Sequence, residues 1–336
     1  MTMSSSVVPA PAPESAGFFV SRPAAAEARH LLGLEGMPRE ALEILLEEAA
    51  AERDWLRKGA PNRDDLAGCS VMLTFIEDST RTRTSFEVAA RRLGANVFTF
   101  SAAASSLNKG ETLLDTMKVF EAMGAQLVVI RHGQSGSPAY LARHLPRTGI
   151  INAGDGMHEH PTQGLLDLLT LRDAWAGRFA GRRLAIVGDI SHSRVARSAI
   201  FGLTTLGAEV TVCGPGTLMP ADIELMGVTL APTLEDAMRD ADGVMALRIQ
   251  KERMEKGLLP SLVEYARVWG VDMARVKLMK EDAVVMHPGP VNQGVEVDST
   301  ISEFGRNVIL QQVANGVAAR MAVLRRCWTA WKEEVV

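Results

Sequence analysis

From about residue 30 the chain alternates between two hydrophobic rhythms. Behind Pro38, which opens a helix, Leu42, Leu45, Leu46 and Ala49 recur at i, i+3, i+4 and i+7, the spacing of one buried helical face. The apolar run over 71–76 has the length and continuity of a strand covered on both sides. A helix around 85–93 stops at Gly94, which suits a left-handed cap. A strand over 96–100, a polar loop, a helix over 111–123 ending at Gly124 and a strand over 126–131 continue the pattern. After Pro161 it restarts with a helix through Leu165, Leu166, Leu168 and Leu169. A strand over 183–187, a helix ending near Gly207, and strands over 209–213, 243–247 and 284–286 follow. The chain closes on a long helix over 307–332 whose own apolar periodicity suits it to pack back on the first domain.

Repeated βα units with short connections predict an α/β protein of two doubly wound parallel-sheet domains. The expected organisation is a tail over 1–28, a first domain over 29–162 completed by the helix at 307–332, and a second domain over 163–306. The first 28 residues are rich in Ser, Pro and Ala and lack the basic and continuous apolar regions of a signal peptide. Glu14, Glu27 and the near-absence of arginine before Arg22 also differ from an organelle transit peptide, so a disordered tail is expected. No internal repeat exists beyond the βα rhythm.

Composition narrows the function. Of 336 residues 47% are hydrophobic, enough for two cores, and 36 basic against 40 acidic residues leave a formal charge of -4. No nucleic-acid or membrane-surface partner is implied by that balance, and no apolar run approaches the roughly 20 residues of a spanning helix. Cys69, Cys213 and Cys327 lie far apart with no CxxC pair, which argues against a disulfide framework and a zinc site. Free thiols in a reducing, cytoplasmic setting are expected.

In parallel sheets ligands gather at the carboxyl ends of strands, and the chemistry-bearing residues fall there. Ser79 to Thr84, Arg131, Gly188 to Arg194, Arg248 and His287 to Pro290 each follow a predicted strand. The strongest signal is Ser79-Thr80-Arg81-Thr82-Arg83-Thr84-Ser85-Phe86-Glu87, where a strand runs through hydroxyls into a helix. Free amides and the positive dipole end of a helix make an anion site, and Arg81 adds a bidentate fork for phosphate oxygens. A Ser/Thr cap with solvated arginines would account for one hydroxyl, not for an unbroken run of donors. His160-Pro161-Thr162-Gln163 opens a helix after a glycine-rich stretch; alone, such a histidine is more often structural than catalytic. The loop Ser105-Ser106-Leu107-Asn108-Lys109-Gly110-Glu111 is by itself unremarkable.

Together these segments resemble a known family. Phe75, Glu77, Ser79 to Arg83 and Ser85 to Glu87, then Lys109 to Thr112 (KGET), then His160 to Gln163 (HPTQ), are similar in kind and order to the motifs of the aspartate/ornithine carbamoyltransferases. The resemblance runs from about residue 29 to 328 and is nearer the aspartate branch of bacterial type. It implies that the first domain binds carbamoyl phosphate and the second binds L-aspartate, with N-carbamoyl-L-aspartate and phosphate as products, an early step of de novo pyrimidine biosynthesis. Ser79, Thr80, Arg81 and Thr82 would hold the phosphate; Thr82, Arg131 and His160 would donate to the carbonyl oxygen. Gln163 and the main-chain carbonyls around Gly289 and Pro290 would orient the carbamoyl amide. Ser106 and Lys109 would reach in from a neighbouring subunit of a homotrimer with shared active sites. No metal, organic cofactor or covalent enzyme intermediate is implied.

Charge bears on the acceptor, because aspartate brings two carboxylates and ornithine a second ammonium. A nucleotide site at Gly188 is disfavoured, since GxGxxG spacing is absent. By resemblance Arg194, Arg248 and Gln250 would grip aspartate with help from Lys109, and so basic a cluster would repel an ornithine ammonium. Without that context Arg248 reads as one more solvated charge beside Lys251, Glu252 and Arg253. The loop His287-Pro288-Gly289-Pro290 agrees with the aspartate branch, whereas the ornithine enzymes carry a cysteine after that histidine. Gln293 stands where the bacterial pattern commonly has arginine, away from the implied catalytic set. Glu77 and Arg253 would form salt bridges that hold the two domains closed. Ornithine as acceptor, a non-catalytic relative kept as a structural partner of another pyrimidine-pathway enzyme, and a generic phosphate-binding module are the competing readings. Regulatory chains or a dihydroorotase are possible companions of the trimer.

Overall fold

The computed structural model describes residues 29–101, 110–249 and 261–335. The expected tail, and with it Ser106, Lys109, Gln250 and Arg253, lies outside the described residues. Helix α1 (Arg39–Arg57) leads into strand β1 (Ser70–Phe75), followed by α2 (Thr80–Arg92), β2 (Asn96–Ser101), α3 (Leu113–Ala122), β3 (Leu127–His132), α4 (Ser137–His144) and β4 (Gly149–Asp155). Helix α5 (Pro161–Ala174) passes to a second set: β5 (Arg183–Val187), α6 (Arg194–Thr205), β6 (Glu209–Cys213), β7 (Thr229–Leu230), α7 (Leu234–Met238) and β8 (Gly243–Ala246). Helices α8 (Leu262–Trp269) and α9 (Met273–Val276), strand β9 (Val284–Met286) and the long α10 (Ile309–Val335) complete the chain.

The strands form two wholly parallel sheets, in the orders β2-β1-β3-β4 and β7-β6-β5-β8-β9. Two α/β domains were expected, and two are present. In each sheet the order reverses beside its first strand, between β1 and β3 and between β5 and β8, so each has a crevice at the carboxyl ends of those strands.

Strand alternation explains the continuous apolar runs. In β3, Leu127 and Val129 pack into the core shared with α1, α2, α5 and α10, while Val128 and Ile130 pack into a second layer beside α3 and α4. In β5, Leu184 and Ile186 join the shared core and Ala185 and Val187 the opposite layer. Helix α5 is buried from Pro161 through Leu171, as expected of a helix apolar on nearly every side. It packs on α6 of the second unit and on α10, which returns against α1 and α2 of the first. The expected split at 162/163 therefore falls at the start of a helix that both units share.

Several elements escaped the sequence pattern. Helix α2 begins at Thr80, not near residue 85, so the polar run is its first turn. Helix α4 and strand β4 were not foreseen. Asn152 and Gly154 are poor strand formers, but Asn152 donates from Nδ2 to the Leu32 carbonyl (2.8 Å) and to Asp155 (2.9 Å), and accepts from the Gly154 amide (2.7 Å). Short α7, α8, α9 and β7 were likewise missed. The three cysteines are buried and free, and among the described residues no helix is long and apolar enough to cross a membrane.

One buried carboxylate ties the start of the chain to both units. Glu159 is fully covered; its oxygens accept from the Leu34 amide (2.8 and 3.0 Å), the Glu35 amide (3.0 Å) and the Ser198 hydroxyl on α6 (2.8 Å). A Cβ on Gly33 would lie 2.3 Å from that carboxylate, so a side chain there would have to push it off its partners. We expect Glu159→Gln to turn an amide donor against donors and to cost on the order of 2 kcal/mol. A lowered urea midpoint with unchanged far-ultraviolet dichroism would report this; an unchanged midpoint would refute the assignment.

Candidate active site

The two crevices face each other across a single cleft of about 330 Å³. From the first unit come Glu77 to Thr82 after β1, Arg131 on β3, and His160 and Gln163 at the start of α5. From the second come Ser193, Arg194 and Val195 at the start of α6, Arg248 after β8, and Pro288 to Pro290 after β9. The structure thus brings together Glu77, Ser79, Thr80, Arg81, Thr82, Arg131, His160, Gln163, Arg194, Arg248, Gly289 and Pro290. Where Ser106, Lys109, Gln250 and Arg253 stand lies outside the described residues.

The polar run makes its anion site as the start of α2. Ser79 is extended at the N-cap and makes no capping bond; its hydroxyl donates to Thr82 Oγ1 at 3.0 Å. The first-turn amides of α2 consequently face the cleft uncapped by that side chain, with the dipole end behind them. Across the cleft the peptide Gly289-Pro290 is cis and Gly289 has φ +64°. A Cβ at that position would lie 2.2 Å from Arg81 Nη1, so glycine lets the guanidinium lie against the backbone. Burial and the nearby charge of Arg248 draw the Arg81 guanidinium down from its ordinary value.

Arg131 and Arg194 are held by one carboxylate. Arg131 Nη2 donates to Glu77 Oε1 at 2.6 Å and Nη1 to the Ala153 carbonyl at 3.3 Å. Arg194 donates to both Glu77 oxygens, to Oε2 at 3.1 Å, and to the Gly156 carbonyl at 3.1 Å. Glu77 therefore links β1 to α6 across the cleft. Arg194, expected to grip aspartate, is 3% exposed and lines the cleft with both terminal nitrogens bonded to Glu77.

His160 is buried at the base. Burial, then the charges of Arg131, Arg194 and Arg320, hold its imidazole well below the usual histidine range, so it is a neutral donor at physiological pH. Its amide donates to Ser198 Oγ at 2.9 Å, and among the described residues Nδ1 has no hydrogen-bond partner. His287 is also neutral, pushed down to about 3 by burial and by Arg81 and Arg248. Its Nδ1 accepts from the Gly289 amide at 2.7 Å and fixes the loop.

Sequence reasoning missed the carboxylates that set these loops. Glu296 accepts from the Ile249 amide (2.7 Å), directly after Arg248, and from the Asn292 amide (2.9 Å) and Nδ2 (2.6 Å). Asp167 accepts from Gln163 and Gln312. Their signal was a charge inside an apolar run, Val295-Glu296-Val297 and Leu166-Asp167-Leu168. Among the described residues one group, Glu35, His158 and Glu159, has ligand-type atoms within 4.8 Å of one another. The Glu159 oxygens are already taken by backbone and hydroxyl donors, and none of the three lines the cleft.

Family models match both halves: the aspartate/ornithine carbamoyltransferase carbamoyl-P binding domain over residues 29–173 and the Asp/Orn binding domain over 180–327. The aspartate carbamoyltransferase catalytic subunit of Acetivibrio thermocellus is 51% identical over 298 residues, 89% of this chain and 95% of that one. Among solved structures, aspartate transcarbamoylase from Trypanosoma cruzi in complex with carbamoyl aspartate and phosphate superposes with TM-score 0.80 at 31% identity, covering 91% of this chain and 98% of that one. Ornithine carbamoyltransferase from Pyrococcus furiosus gives TM-score 0.78 at 28% identity, with coverage of 88% and 96%. Backbone likeness therefore does not separate the two acceptors.

Placing a Cβ against Arg81 should disable the anion site without unfolding the protein. Gly289→Ala adds about 1–2 kcal/mol of backbone strain and is expected to weaken inorganic phosphate binding at least tenfold by calorimetry. An unchanged dissociation constant would show that Arg81 does not hold the anion.

Proposed function

The chain belongs to the aspartate/ornithine carbamoyltransferase family, and we propose that it transfers the carbamoyl group of carbamoyl phosphate to L-aspartate. The products are N-carbamoyl-L-aspartate and phosphate, an early step of de novo pyrimidine biosynthesis. The observation that carries this reading is the convergence, in one cleft, of an uncapped helix start, three donors from the first unit and two guanidinium groups from the second.

The phosphate sits at the start of α2, on Ser79, Thr80, Arg81 and Thr82. Thr82, Arg131 and His160 then surround the carbonyl oxygen. The amine nitrogen attacks the carbonyl carbon, negative charge gathers on that oxygen, and the C–O bond to phosphate breaks. The proton lost by the amine goes to the departing phosphate. A donor aimed at such an oxygen is worth about 3 kcal/mol, and Glu77 and the Ala153 carbonyl hold Arg131 in place for it. A neutral imidazole suits the role, since it needs one N–H and adds no further cation to a cleft with four arginines.

Four guanidinium groups against Glu77 and Asp78 leave the cleft positive by two. Aspartate brings two carboxylates to Arg194 and Arg248, whereas ornithine would bring a second ammonium to the same place. Gln250 from the second unit, and Ser106 and Lys109 from a neighbouring subunit of a homotrimer, complete the site in this reading. Glu77, with Arg253, holds the domains closed; the bridge from Glu77 to Arg194 supports its part.

Product formation with each amine tests the reading. Aspartate should be carbamoylated and ornithine not, and Arg194→Ala should lower kcat/KM for aspartate about a hundredfold or more. Turnover of ornithine would reassign the second unit, and an inactive but folded trimer would favour a structural role. A neutral His160 also predicts that the kcat ratio of wild type to His160→Ala stays flat from pH 6 to 8. A ratio that falls with a midpoint near 6.5 would mean that imidazolium is the donor.

A further inference from the structure

Behind the cleft lies a buried carboxylate that the proposed chemistry does not use. Asp167 stands one turn along α5 from Gln163 and is 1% exposed. Its Oδ1 accepts from Gln163 Nε2 at 3.1 Å and from Gln312 Nε2, on α10, at 2.7 Å. A carboxylate oxygen accepts hydrogen bonds, so the amide end of each glutamine must face it. For Gln163 that leaves the carbonyl oxygen as the end turned to the cleft it lines. For Gln312 it leaves Oε1, which accepts from the His287 amide at 2.9 Å. His287 in turn accepts from the Gly289 amide, fixing the loop whose carbonyls flank the cleft.

We propose that Asp167 is a positioning residue for donor specificity: by holding both glutamines in one orientation, it presents hydrogen-bond acceptors to the NH2 of carbamoyl phosphate. Acyl phosphates that lack this NH2 are thereby disfavoured. The proposal rests on Gln163 and the 289–290 carbonyls contacting that group. Without Asp167, Gln163 is free to rotate and turn an NH2 donor toward the substrate's own NH2. Burial pushes the Asp167 carboxyl up to about 7, held from rising further by Gln312, Gln163 and the Arg320 charge. In either protonation state Oδ1 remains an acceptor, because Oδ2, with no hydrogen-bond partner among the described residues, is the oxygen free to carry a proton.

Acetyl phosphate replaces the NH2 with a methyl group of similar size, so the ratio of its dissociation constant to that of carbamoyl phosphate reads this contact. Both would be measured calorimetrically on the full chain, with inorganic phosphate as a control. Wild type should prefer carbamoyl phosphate by at least about tenfold. Asp167→Ala should cut that preference about tenfold while phosphate affinity stays within about threefold, and Asp167→Asn, which keeps an acceptor oxygen, should restore most of it. Equal weakening of all three ligands, or an unchanged preference, would reduce Asp167 to a structural role and overturn the proposal. No preference in wild type would instead sink the reading of Gln163. Should Asp167→Ala not fold, Gln312→Met reads the relay from its other end, and an unchanged preference there also overturns it.

Discussion

Mutual repulsion among Arg81, Arg131, Arg194 and Arg248 is the constraint around which the cleft is built. Two unit charges 4 Å apart repel by about 4 kcal/mol at the effective dielectric of a protein surface. Glu77 answers part of this by lying between Arg131 and Arg194 and bonding both. Those two arginines come from different units, one on β3 and one at the start of α6, so the same carboxylate that neutralises charge also joins the two units. Burial, and then the charge of Arg248, still lower the affinity of Arg81 for its own proton. What remains is a positive field suited to the anionic groups of the proposed substrates.

Backbone geometry lets such bulky cations crowd. A Cβ on Gly154, at φ +116°, would meet Arg194 Nε at 3.0 Å and Arg131 Nη1 at 3.1 Å. Gly289 gives Arg81 the same clearance from the opposite wall. The guanidinium groups of Arg81, Arg131 and Arg194 thus lie against bare main chain at strand ends and helix starts. Burial first, and the field after it, set the protonation of its neighbours. His160 and His287, both buried beside arginine, are neutral, and so act as a donor and an acceptor without adding charge.

Much of this was legible in the sequence because strand-end chemistry is local. The run Ser79 to Thr84, Arg131, Gly188 to Arg194 and Arg248 each announce themselves by polar residues soon after an apolar strand, and His160 by opening a helix behind a glycine-rich stretch. The two-sheet architecture followed from strands that are apolar throughout. What stayed hidden depends on partners far along the chain. Strand β4 is held in register by Asn152 reaching Leu32, 120 residues away. Asp167 is fixed by Gln312, 145 residues away, and Glu159 by Leu34, 125 residues away. No window of sequence contains both members of such a pair. Helix α2 was placed late because hydroxyls and arginines carry no apolar periodicity; the turn is set by its place after β1.

Four buried carboxylates, Asp155, Glu159, Glu296 and Asp167, differ from Glu77 in what they bind, and the difference separates geometry from charge. Asp155 accepts from the Gly136 and Glu159 amides and from Asn152; Glu159 from Leu34, Glu35 and Ser198; Glu296 from Ile249 and Asn292; Asp167 from two glutamines. Apart from Asp155, which also meets His158, their hydrogen-bond partners are neutral groups. Each fixes a loop or helix start that carries a cleft residue, yet none bonds to a cleft arginine. Had these acids faced the guanidinium groups directly, they would have competed with an anionic ligand for the same donors. Set one layer back and bonded to amides and hydroxyls, they hold the walls rigid and leave the field for the ligand. Among the described residues Glu77 is the bonded acid that stands in the field, where it holds one arginine of each unit.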